Sequence, residues 1–234
     1  MGRNGNWSMT MRWHDLLFMH WPVPAEQLRP LIPSALHIDM FDSTAWIGVV
    51  PFRMSNVRPR YIPPLPWLSA FAELNVRTYV THRGKAGVWF FSLDAARSLA
   101  VWTARKLFHL PYFNANMSVR ANGEQISYRS RRTHKGAPAC SFAARYWPTG
   151  AVYQSANGSL DEFLTERYCL FSADSRQSIY RCDILHGRWP LQPAEVEVET
   201  NTMTEPLGIH LPDTQPLLHF AKRVDVDAST IRPV

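Results

Sequence analysis

The sequence predicts an α+β fold: a mostly antiparallel sheet or β-barrel with two or three helices packed on it. Short apolar or alternating segments recur along the 234 residues, with turn signals between them. The 18 prolines interrupt the chain too often for long helices, and aromatic residues, which favour strands, make up 12% of it. A chain of this length can bury one substantial core, so we expect a single domain over residues 1–234.

Hydrophobic patterning predicts the strands. Residues 44–53 are apolar on both alternating faces, as expected of a strand that is covered on both sides. Residues 71–81 alternate between apolar and polar side chains, and a turn at 83–85 connects them to a strand over 87–93. Asn122-Gly123 marks a second hairpin. Further strands are predicted over 12–21, 139–147, 178–185, 194–200 and 217–226.

Two helices are predicted in the first half of the chain. One begins at Pro24, because proline suits the first helical position, and ends before Pro33. The second covers 95–108, where alanine and leucine are frequent, with Asp94 as its N-cap. Between them, residues 57–69 hold too many prolines for a helix or a strand and are predicted to form a long, stiff loop.

A third helix is predicted from a capping box. Ser159 and Glu162 have the spacing at which the serine accepts a hydrogen bond from the first turn and the glutamate reaches back. The apolar residues that follow extend this helix towards Cys169.

The amino-acid composition indicates the cellular compartment of the protein and the charge of its partners. The net charge is +6 and only four of the 25 cationic residues are lysines. Arginine binds carboxylates and phosphates through two hydrogen bonds, so anionic partners are slightly favoured. The three cysteines are odd in number and far apart, which predicts reduced thiols rather than disulfides. Neither a signal peptide nor an apolar run of about 18 residues is found, so we expect a cytoplasmic protein without membrane spans.

The strand over 71–81 carries the most informative polar side chains, Glu73, Asn75 and Arg77, on one face. Its hairpin partner over 87–93 is apolar on both faces and is expected to be covered on both sides. The three polar side chains would then point into covered space, where charged groups need partners or a ligand. An enclosed acid, amide and guanidinium predicts a small-molecule site. An ordinary solvated face remains the alternative.

The densest basic run offers a second hypothesis. It holds five cations in seven residues, beside Tyr128: Arg129, Arg131, Arg132, His134 and Lys135. Such a run with an aromatic neighbour can bind nucleic acid. Alternation, however, places Arg132 on the opposite face from Arg129 and Arg131, and no nucleic-acid-binding motif accompanies the run. A solvated hairpin is therefore favoured over a nucleic-acid site.

Common metal, cofactor and hydrolase motifs are absent from the sequence. The nine histidines form neither an HxH nor an HExxH pattern, so no metal site is predicted. Phosphate-binding glycine loops and the GxSxG motif are also missing, which removes support for ATP, NAD and serine hydrolase chemistry. We therefore expect no cofactor, and a homo-oligomer is left open.

Five segments carry a family resemblance: HWPVPAEQLRPLIPSAL (20–36), FDSTAWIGVVPFRM (41–54), FAELNVRTYV (71–80), GVWFFSLDA (87–95) and ARKLFHLPYFNANM (104–117). Together they resemble the YqjF-like family of uncharacterised bacterial proteins, over most of the chain and in a specific order. The resemblance implies a fold and brings no established activity. That family is distantly similar to acetoacetate decarboxylase, which implies a cone-like antiparallel β-barrel with a buried active site. Glu73 matches a glutamate that lines the decarboxylase cavity.

The resemblance to the decarboxylases breaks at the catalytic lysine. In those enzymes an Arg-Glu-Leu helix leads through a proline into paired lysines, one of which forms a Schiff base with the oxo acid. Here the segment 105–107 (RKL) leads through Pro111 into Tyr112 and Phe113. The nucleophilic amine is missing from the matching place, so decarboxylation through a Schiff base at that position is not expected.

The sequence thus predicts a cavity for a small organic acid or carbonyl compound. Glu73 is the candidate catalytic acid or base, and Arg77 is expected to hold an anionic group through two hydrogen bonds. Asn75, Tyr112 and Arg53 complete the predicted lining, with Tyr112 as a hydrogen-bond donor. A non-catalytic ligand binder or sensor that uses the same cavity is the first alternative, and nucleic-acid binding through the basic run is the second.

Overall fold

The computed structural model describes residues 7–63, 69–96 and 108–234. Most of the helix predicted over 95–108 lies outside these residues. The described chain is mostly strand: β1 (Trp7–Val23), β2 (His37–Ile38), β3 (Ala45–Pro59), β4 (Phe71–His82), β5 (Lys85–Ala95), β6 (Tyr112–Asn122), β7 (Gln125–Arg132), β8 (Ser141–Pro148), β9 (Cys169–Ala173), β10 (Ile179–Leu185), β11 (Leu191–Gln192), β12 (Ala194–Asn201), β13 (Leu217–Ser229) and β14 (Arg232–Pro233).

Two short α-helices accompany the strands in the described residues. Helix α1 (Ala25–Leu28) follows Pro24 and continues as a 3₁₀ turn that ends before Pro33, as predicted. Helix α2 (Leu160–Thr165) begins at the predicted cap, where Oγ of Ser159 accepts a hydrogen bond from the Glu162 amide. A further 3₁₀ turn covers Glu205–Leu207. None of the described helices is long and apolar enough to cross a membrane.

The strands close into a ring because β5 has partners along both edges. One edge pairs with β4 in the predicted hairpin. The other edge pairs with β9 near Val88 and with β6 near Leu93, in parallel in both cases. From β4, antiparallel pairings run through β3, β1, β13 and β10 to β9, and the parallel pairing of β9 with β5 closes a ring of seven strands. The remaining pairings of the sheet are mostly antiparallel, as expected.

A four-stranded arm leaves the ring at β5 and folds over its outside. The arm runs β6, β7, β8, β12, and it includes the hairpin predicted at Asn122-Gly123. Its buried side chains, among them Tyr128 and Phe142, pack in one core with Met19 and Val76 of the ring. A layer of four strands cannot fit within a ring of seven, so this core marks the outer face. The alternate side chains of the ring strands therefore face inward.

Two predicted boundaries are wrong. The loop expected over 57–69 starts too early, because β3 continues to Pro59 and pairs with β1. The helix opened by Ser159 does not reach Cys169: α2 ends at Thr165, and Cys169 starts β9, which pairs with β10. In both cases a distant strand, β1 for β3 and β5 for β9, offers backbone partners that the local sequence does not reveal.

Close packing at Gly87 gives a test of the ring closure. A Cβ on Gly87 would lie 2.6 Å from Sγ of Cys169 and 2.9 Å from its carbonyl oxygen. We expect Gly87→Ala to lower the free energy of unfolding by about 1–3 kcal/mol, measured by urea denaturation. Gly187→Ala is the matched control, since no atom lies within 4 Å of a Cβ there. Equal effects of the two substitutions would contradict the close approach of β5 and β9.

Candidate functional site

Strand β4 presents a row of four polar side chains to the inside of the ring: Glu73, Asn75, Arg77 and Tyr79. Alternation puts them on one face, and the register places three of them opposite Phe52, Val50 and Gly48 of β3. All four are buried, with Glu73 at 3% exposure and Arg77 at 9%. The polar face of this strand is therefore covered, and the alternative of an ordinary solvated face does not apply.

Glu73 accepts a hydrogen bond from Tyr112 of β6. The Tyr112 hydroxyl donates to Oε2 of Glu73 over 2.8 Å. Burial raises the pKa of Glu73 to about 8, although the Tyr112 hydrogen bond opposes this change and nearby Asp94 adds to it. Burial, and then the neighbouring Glu73, also raise the pKa of Tyr112 well above its usual value. Glu73 is therefore a protonated, neutral acid at pH 7.

Asn75 and Arg77 each keep a buried polar atom that has no hydrogen-bond partner among the described residues. In Asn75 this atom is the acceptor Oδ1, and in Arg77 it is Nε, a donor. Nη2 of Arg77 has two long contacts, 3.3 Å to the Leu164 carbonyl oxygen and 3.4 Å to the Tyr79 hydroxyl. A buried polar group that lacks a partner costs about 1–3 kcal/mol, so such atoms mark a place that a ligand can satisfy.

His20 of β1 reaches across the ring strand β3 to Tyr79. Its Nε2 lies 2.7 Å from the Tyr79 hydroxyl, which in turn donates to the Leu164 carbonyl oxygen of α2 over 2.7 Å. Gly48 leaves room for this crossing, because a Cβ there would lie 3.0 Å from the His20 ring. Burial, and then Arg77 and His219, lower the pKa of His20 well below its usual value. His20 is therefore neutral.

His219 of β13 forms a pair with Asp161 of α2. The distance from His219 Nε2 to Asp161 Oδ1 is 2.9 Å, and the Tyr153 hydroxyl donates to the other carboxylate oxygen over 3.1 Å. His219 is 2% exposed, and its ring centre lies 6.3 Å from that of His20. Helix α2 thus supplies both a carboxylate and a carbonyl oxygen to the inner face.

Aromatic side chains form the apolar walls around these polar groups. Phe18 packs with Val50 and Phe52 in a buried inner cluster, and Trp189 meets it edge to face at 5.0 Å. The Arg77 guanidinium carbon lies 5.2 Å from the Phe18 ring centre. A pocket with apolar walls and few convergent polar groups is typical of small-molecule sites.

Arg53 is not part of this face, so its predicted place in the lining is wrong. Arg53 pairs with Ala72 in the β3–β4 register, one residue away from the inward Phe52 and Glu73, and therefore points outward. There it bonds Asp15, which also accepts a hydrogen bond from Lys222 Nζ at 2.7 Å. Arg53 is half-exposed and fully engaged by that carboxylate.

Four inward groups were missed by the sequence analysis or given no role: His20, Tyr79, Asp161 and His219. Alternation does put Tyr79 on the polar face of β4, which was a usable signal. His20 and His219 are isolated histidines in apolar strands, and Asp161 belongs to a helix start. Only the closed ring brings these residues together.

Two of the five cations in the basic run, Arg129 and Arg132, have carboxylate partners. Arg132 is buried and bonded to Asp94 through both Nε and Nη2. Arg129 pairs with Glu199 over 2.6 Å on the exposed face of the arm. Arg131 is exposed on the same side as Arg129, as alternation predicted. The two ion pairs lower the positive charge of the described hairpin, Arg131 and Lys135 are exposed on it, and nucleic-acid binding there stays an alternative prediction.

Two open clefts on the outer surface are weaker candidates. One, of about 300 Å³, lies beside α2 and contains the Arg167–Asp39 ion pair. The other, of about 540 Å³, contains Arg181 and Arg232, which both pair with Asp183. Their arginines already have carboxylate partners. Among the described residues, no group of three or more metal-ligating side chains is arranged to hold a metal ion.

The lysines of the described chain do not reach the inner face. Lys85, Lys135 and Lys222 are all exposed. Lys106 lies outside the described residues. Within the described site the available chemistry is therefore that of a neutral carboxylic acid, a guanidinium, a tyrosine hydroxyl and two histidines, which can bind anions and move protons.

Solved structures share this fold over nearly the whole chain. Acetoacetate decarboxylase from Legionella pneumophila superposes with a TM-score of 0.67 at 10% identity, covering 98% of this chain and 89% of that one. An acetoacetate decarboxylase-like enzyme from Sphingomonas wittichii RW1 gives 0.63 at 12% identity over 97% and 93%. The enduracididine biosynthesis enzyme MppR in complex with pyruvate gives 0.65 at 8% identity over 99% and 92%. At these identities the likeness establishes the fold alone.

Comparison of sequences finds a relative of much higher identity than the solved structures. The chain is 48% identical over 223 residues to the uncharacterized protein YqjF of Bacillus subtilis (strain 168). The aligned residues make up 95% of this chain and 91% of that protein. Residues 10–225 match the family DUF2071, described as an uncharacterized conserved protein. Because this match covers most of its length, the chain belongs to the DUF2071 family.

Proposed function

We propose that the ring is a β-barrel whose interior binds a small organic acid with a carbonyl group, such as a 2-oxo acid. The observation that carries this proposal is the row of buried polar atoms that lack partners. Arg77 Nε is a donor and Asn75 Oδ1 an acceptor, and both are buried between apolar walls. A buried polar group without a partner lowers the stability of the protein, and a ligand that supplies the missing hydrogen bond removes this cost.

The charges favour an anionic ligand. Arg77 is a buried cation without a carboxylate partner among the described residues, so a ligand carboxylate can supply the missing charge. Glu73 is neutral at pH 7 because burial raises its pKa to about 8, and it therefore does not repel an anion. As a carboxylic acid it can donate a hydrogen bond to a carbonyl oxygen. The pyruvate complex of MppR, a protein of the same fold, supports 2-oxo acids as the first class to test.

Thermal-shift titration tests this proposal. We expect pyruvate or a larger 2-oxo acid to raise the melting temperature of the wild-type protein. At 100 times its dissociation constant a ligand adds about 2.7 kcal/mol, which corresponds to roughly 5–10 °C for a domain of this size. Pyruvamide, which lacks the carboxylate, is expected to have little effect.

Variants locate the binding site. Arg77→Gln removes the guanidinium and is expected to weaken 2-oxo acid binding at least tenfold, because the charge pair is lost. Arg176→Gln is the matched control at an exposed arginine and should bind like the wild type. If none of a panel of 2-oxo acids shifts the melting temperature, or if both variants bind equally, the proposal is contradicted.

A non-catalytic binder or sensor is a second candidate, favoured by one observation. Lysines that could form a Schiff base are exposed in the described chain, so the covalent chemistry of the decarboxylases has no nucleophile there. Binding without any conversion of the 2-oxo acid would support this candidate. In either case we place the protein in the cytoplasm, in keeping with its three buried free cysteines.

A further inference from the structure

Two buried histidines on the inner face leave one ring nitrogen without a partner. Within the part of the chain that the structure describes, Nδ1 of His20 and Nδ1 of His219 have no hydrogen bond, and the two residues are 0% and 2% exposed. Most buried polar atoms in proteins are paired, so two unpaired nitrogens on neighbouring strands require an explanation. In the β1–β13 register His219 lies directly opposite Phe18, and His20 is two residues further along β1.

The hydrogen bonds of the other ring nitrogens define the tautomers. The single proton of the Tyr79 hydroxyl is donated to the Leu164 carbonyl oxygen, so Nε2–H of His20 donates to the Tyr79 oxygen. The Asp161 carboxylate only accepts, so Nε2 of His219 also carries a proton. In each neutral imidazole Nδ1 is then a free lone pair. Both nitrogens are buried proton acceptors.

The two histidines differ in the partner of Nε2. His219 is bonded to a carboxylate, which stabilises the imidazolium that forms when Nδ1 takes up a proton. His20 is bonded to a neutral hydroxyl and lies close to Arg77, and its pKa is lowered well below the usual value. The contact with Asp161 orients the His219 ring and leaves Nδ1 as the nitrogen that can accept a proton, which is the arrangement of a histidine general base.

The anion-binding group lies beside the same wall. The Arg77 guanidinium carbon is 5.2 Å from the ring centre of Phe18, the residue opposite His219. Arg77 is also linked to His20 through the Tyr79 hydroxyl. A ligand held by Arg77 over Phe18 is thus next to the strand pair that carries both histidines.

We propose that His219 is a general base that removes a proton from the carbon next to the carbonyl of a bound 2-oxo acid, with Asp161 as its positioning residue. This inference rests on the proposed function. Nδ1 takes the proton, the electron pair of the broken C–H bond forms the C=C bond of the enolate, and the carbonyl π pair moves to oxygen. Arg77, which holds the carboxylate of the same ligand, also stabilises the negative charge on this neighbouring oxygen. Return of a proton from the imidazolium to carbon restores the acid, so no oxidant or second substrate is needed.

Deuterium exchange into pyruvate tests the base directly. The wild-type protein is incubated with pyruvate in D₂O, and loss of the methyl proton signal is followed by NMR. We expect exchange well above the buffer rate, and a fall of about 10²–10⁴-fold in His219→Gln, the range for loss of a positioned general base. His210→Gln is the matched control at an exposed histidine and should keep the wild-type rate.

The outcomes separate this inference from the proposed function. If pyruvate raises the melting temperature but no exchange occurs, or if His219→Gln exchanges like the wild type, the base is not His219 and binding alone stands. If no 2-oxo acid binds, the proposed function fails and this inference fails with it. Retained binding of pyruvate by His219→Gln, together with lost exchange, supports both.

Asp161→Asn gives a second test at a side chain that is 32% exposed and therefore tolerant of change. We expect exchange to fall at least tenfold while the dissociation constant of pyruvate stays within a factor of two. Two-bond ¹⁵N–¹H spectra of histidine-labelled protein provide the independent readout. The wild type should show His219 protonated at Nε2, and Asp161→Asn should change this tautomer population. Unchanged exchange and an unchanged tautomer would overturn the role of Asp161 and with it the assigned base.

Discussion

Glutamine in place of Glu73 is expected to raise the free energy of unfolding by about 3–5 kcal/mol at pH 8 and to change it little near pH 4.5. Burial raises the pKa of Glu73 from 4.5 to about 8 in the folded protein. Glutamine is neutral at every pH and has nearly the same shape as the protonated acid. Its amide oxygen can still accept the hydrogen bond that Tyr112 donates to Glu73 over 2.8 Å.

The sign follows from proton binding by the two states. Below pH 4.5 both the folded and the unfolded chain keep the Glu73 proton, so its contribution to stability is fully present. Between pH 4.5 and about 8 the unfolded chain loses the proton while the folded chain keeps it. Rising pH therefore favours the unfolded state. This interval of about 3.5 pH units corresponds to about 5 kcal/mol, which glutamine avoids.

Urea denaturation at pH 5, 6, 7 and 8 measures this difference. The gap between Glu73→Gln and the wild type should widen steadily as the pH rises and flatten above pH 8. Glu195→Gln, at an exposed glutamate of β12, is the control and should follow the wild-type curve. Parallel curves for Glu73→Gln and the wild type would mean that Glu73 is already ionised in the folded state, and its role as a neutral acid would be lost.

The inward row on β4 was predictable because two local signals agree. Alternation put Glu73, Asn75 and Arg77 on one face, and a hairpin partner that is apolar on both sides implied that this face is covered. The β4–β5 register and the burial of all three side chains agree with that inference. Both signals lie within 25 residues of one another, so no long-range contact had to be inferred.

The other half of the site depends on contacts between distant segments. His20 and His219 come from β1 and β13, which are paired strands almost 200 residues apart. Nothing in the pattern around either histidine distinguishes a polar site from an ordinary core position. The prediction that Arg53 lines the cavity is wrong for a related reason. Its strand is apolar on both faces, so the pattern does not show which face lies inside. A bulge at Asp15, with a positive φ of 50°, further changes which residues of β1 face inward.

Asp94 is the clearest case of a local signal outweighed by a distant partner. Its position before a predicted helix favoured a cap, and the segment 97–107 lies outside the described residues. In the structure Asp94 lies within β5, one residue before its last paired residue, and bonds Arg132 of β7 through three hydrogen bonds of 2.6–3.1 Å. The two side chains are 0% and 4% exposed. Arg132 appeared in the sequence only as one cation of a basic run.

Removing one member of this buried pair is expected to be strongly destabilising. Asp94→Ala leaves the Arg132 guanidinium buried without its carboxylate, which costs about 3–5 kcal/mol of the free energy of unfolding. Glu199→Ala breaks the corresponding surface pair with Arg129, whose partners are 64% and 61% exposed, and should cost less than about 1 kcal/mol. Urea denaturation of both variants at one pH gives the comparison. Similar losses from the two substitutions would contradict the burial of Arg132.

A double variant separates the cost of an unpaired charge from the value of the pair itself. Asp94→Leu with Arg132→Met replaces both charges by apolar groups of similar size, and it should recover most of the stability that Asp94→Ala loses. Methionine can also keep the contact with Phe113, whose ring centre lies 4.1 Å from the Arg132 guanidinium carbon. In the β4–β5 register Asp94 lies opposite Leu74, whose side chain faces outward. The Asp94–Arg132 ion pair therefore joins the ring to its arm on the side away from Glu73 and Asn75. The double variant should therefore bind 2-oxo acids like the wild type, and a loss of binding would place Arg132 in the site instead.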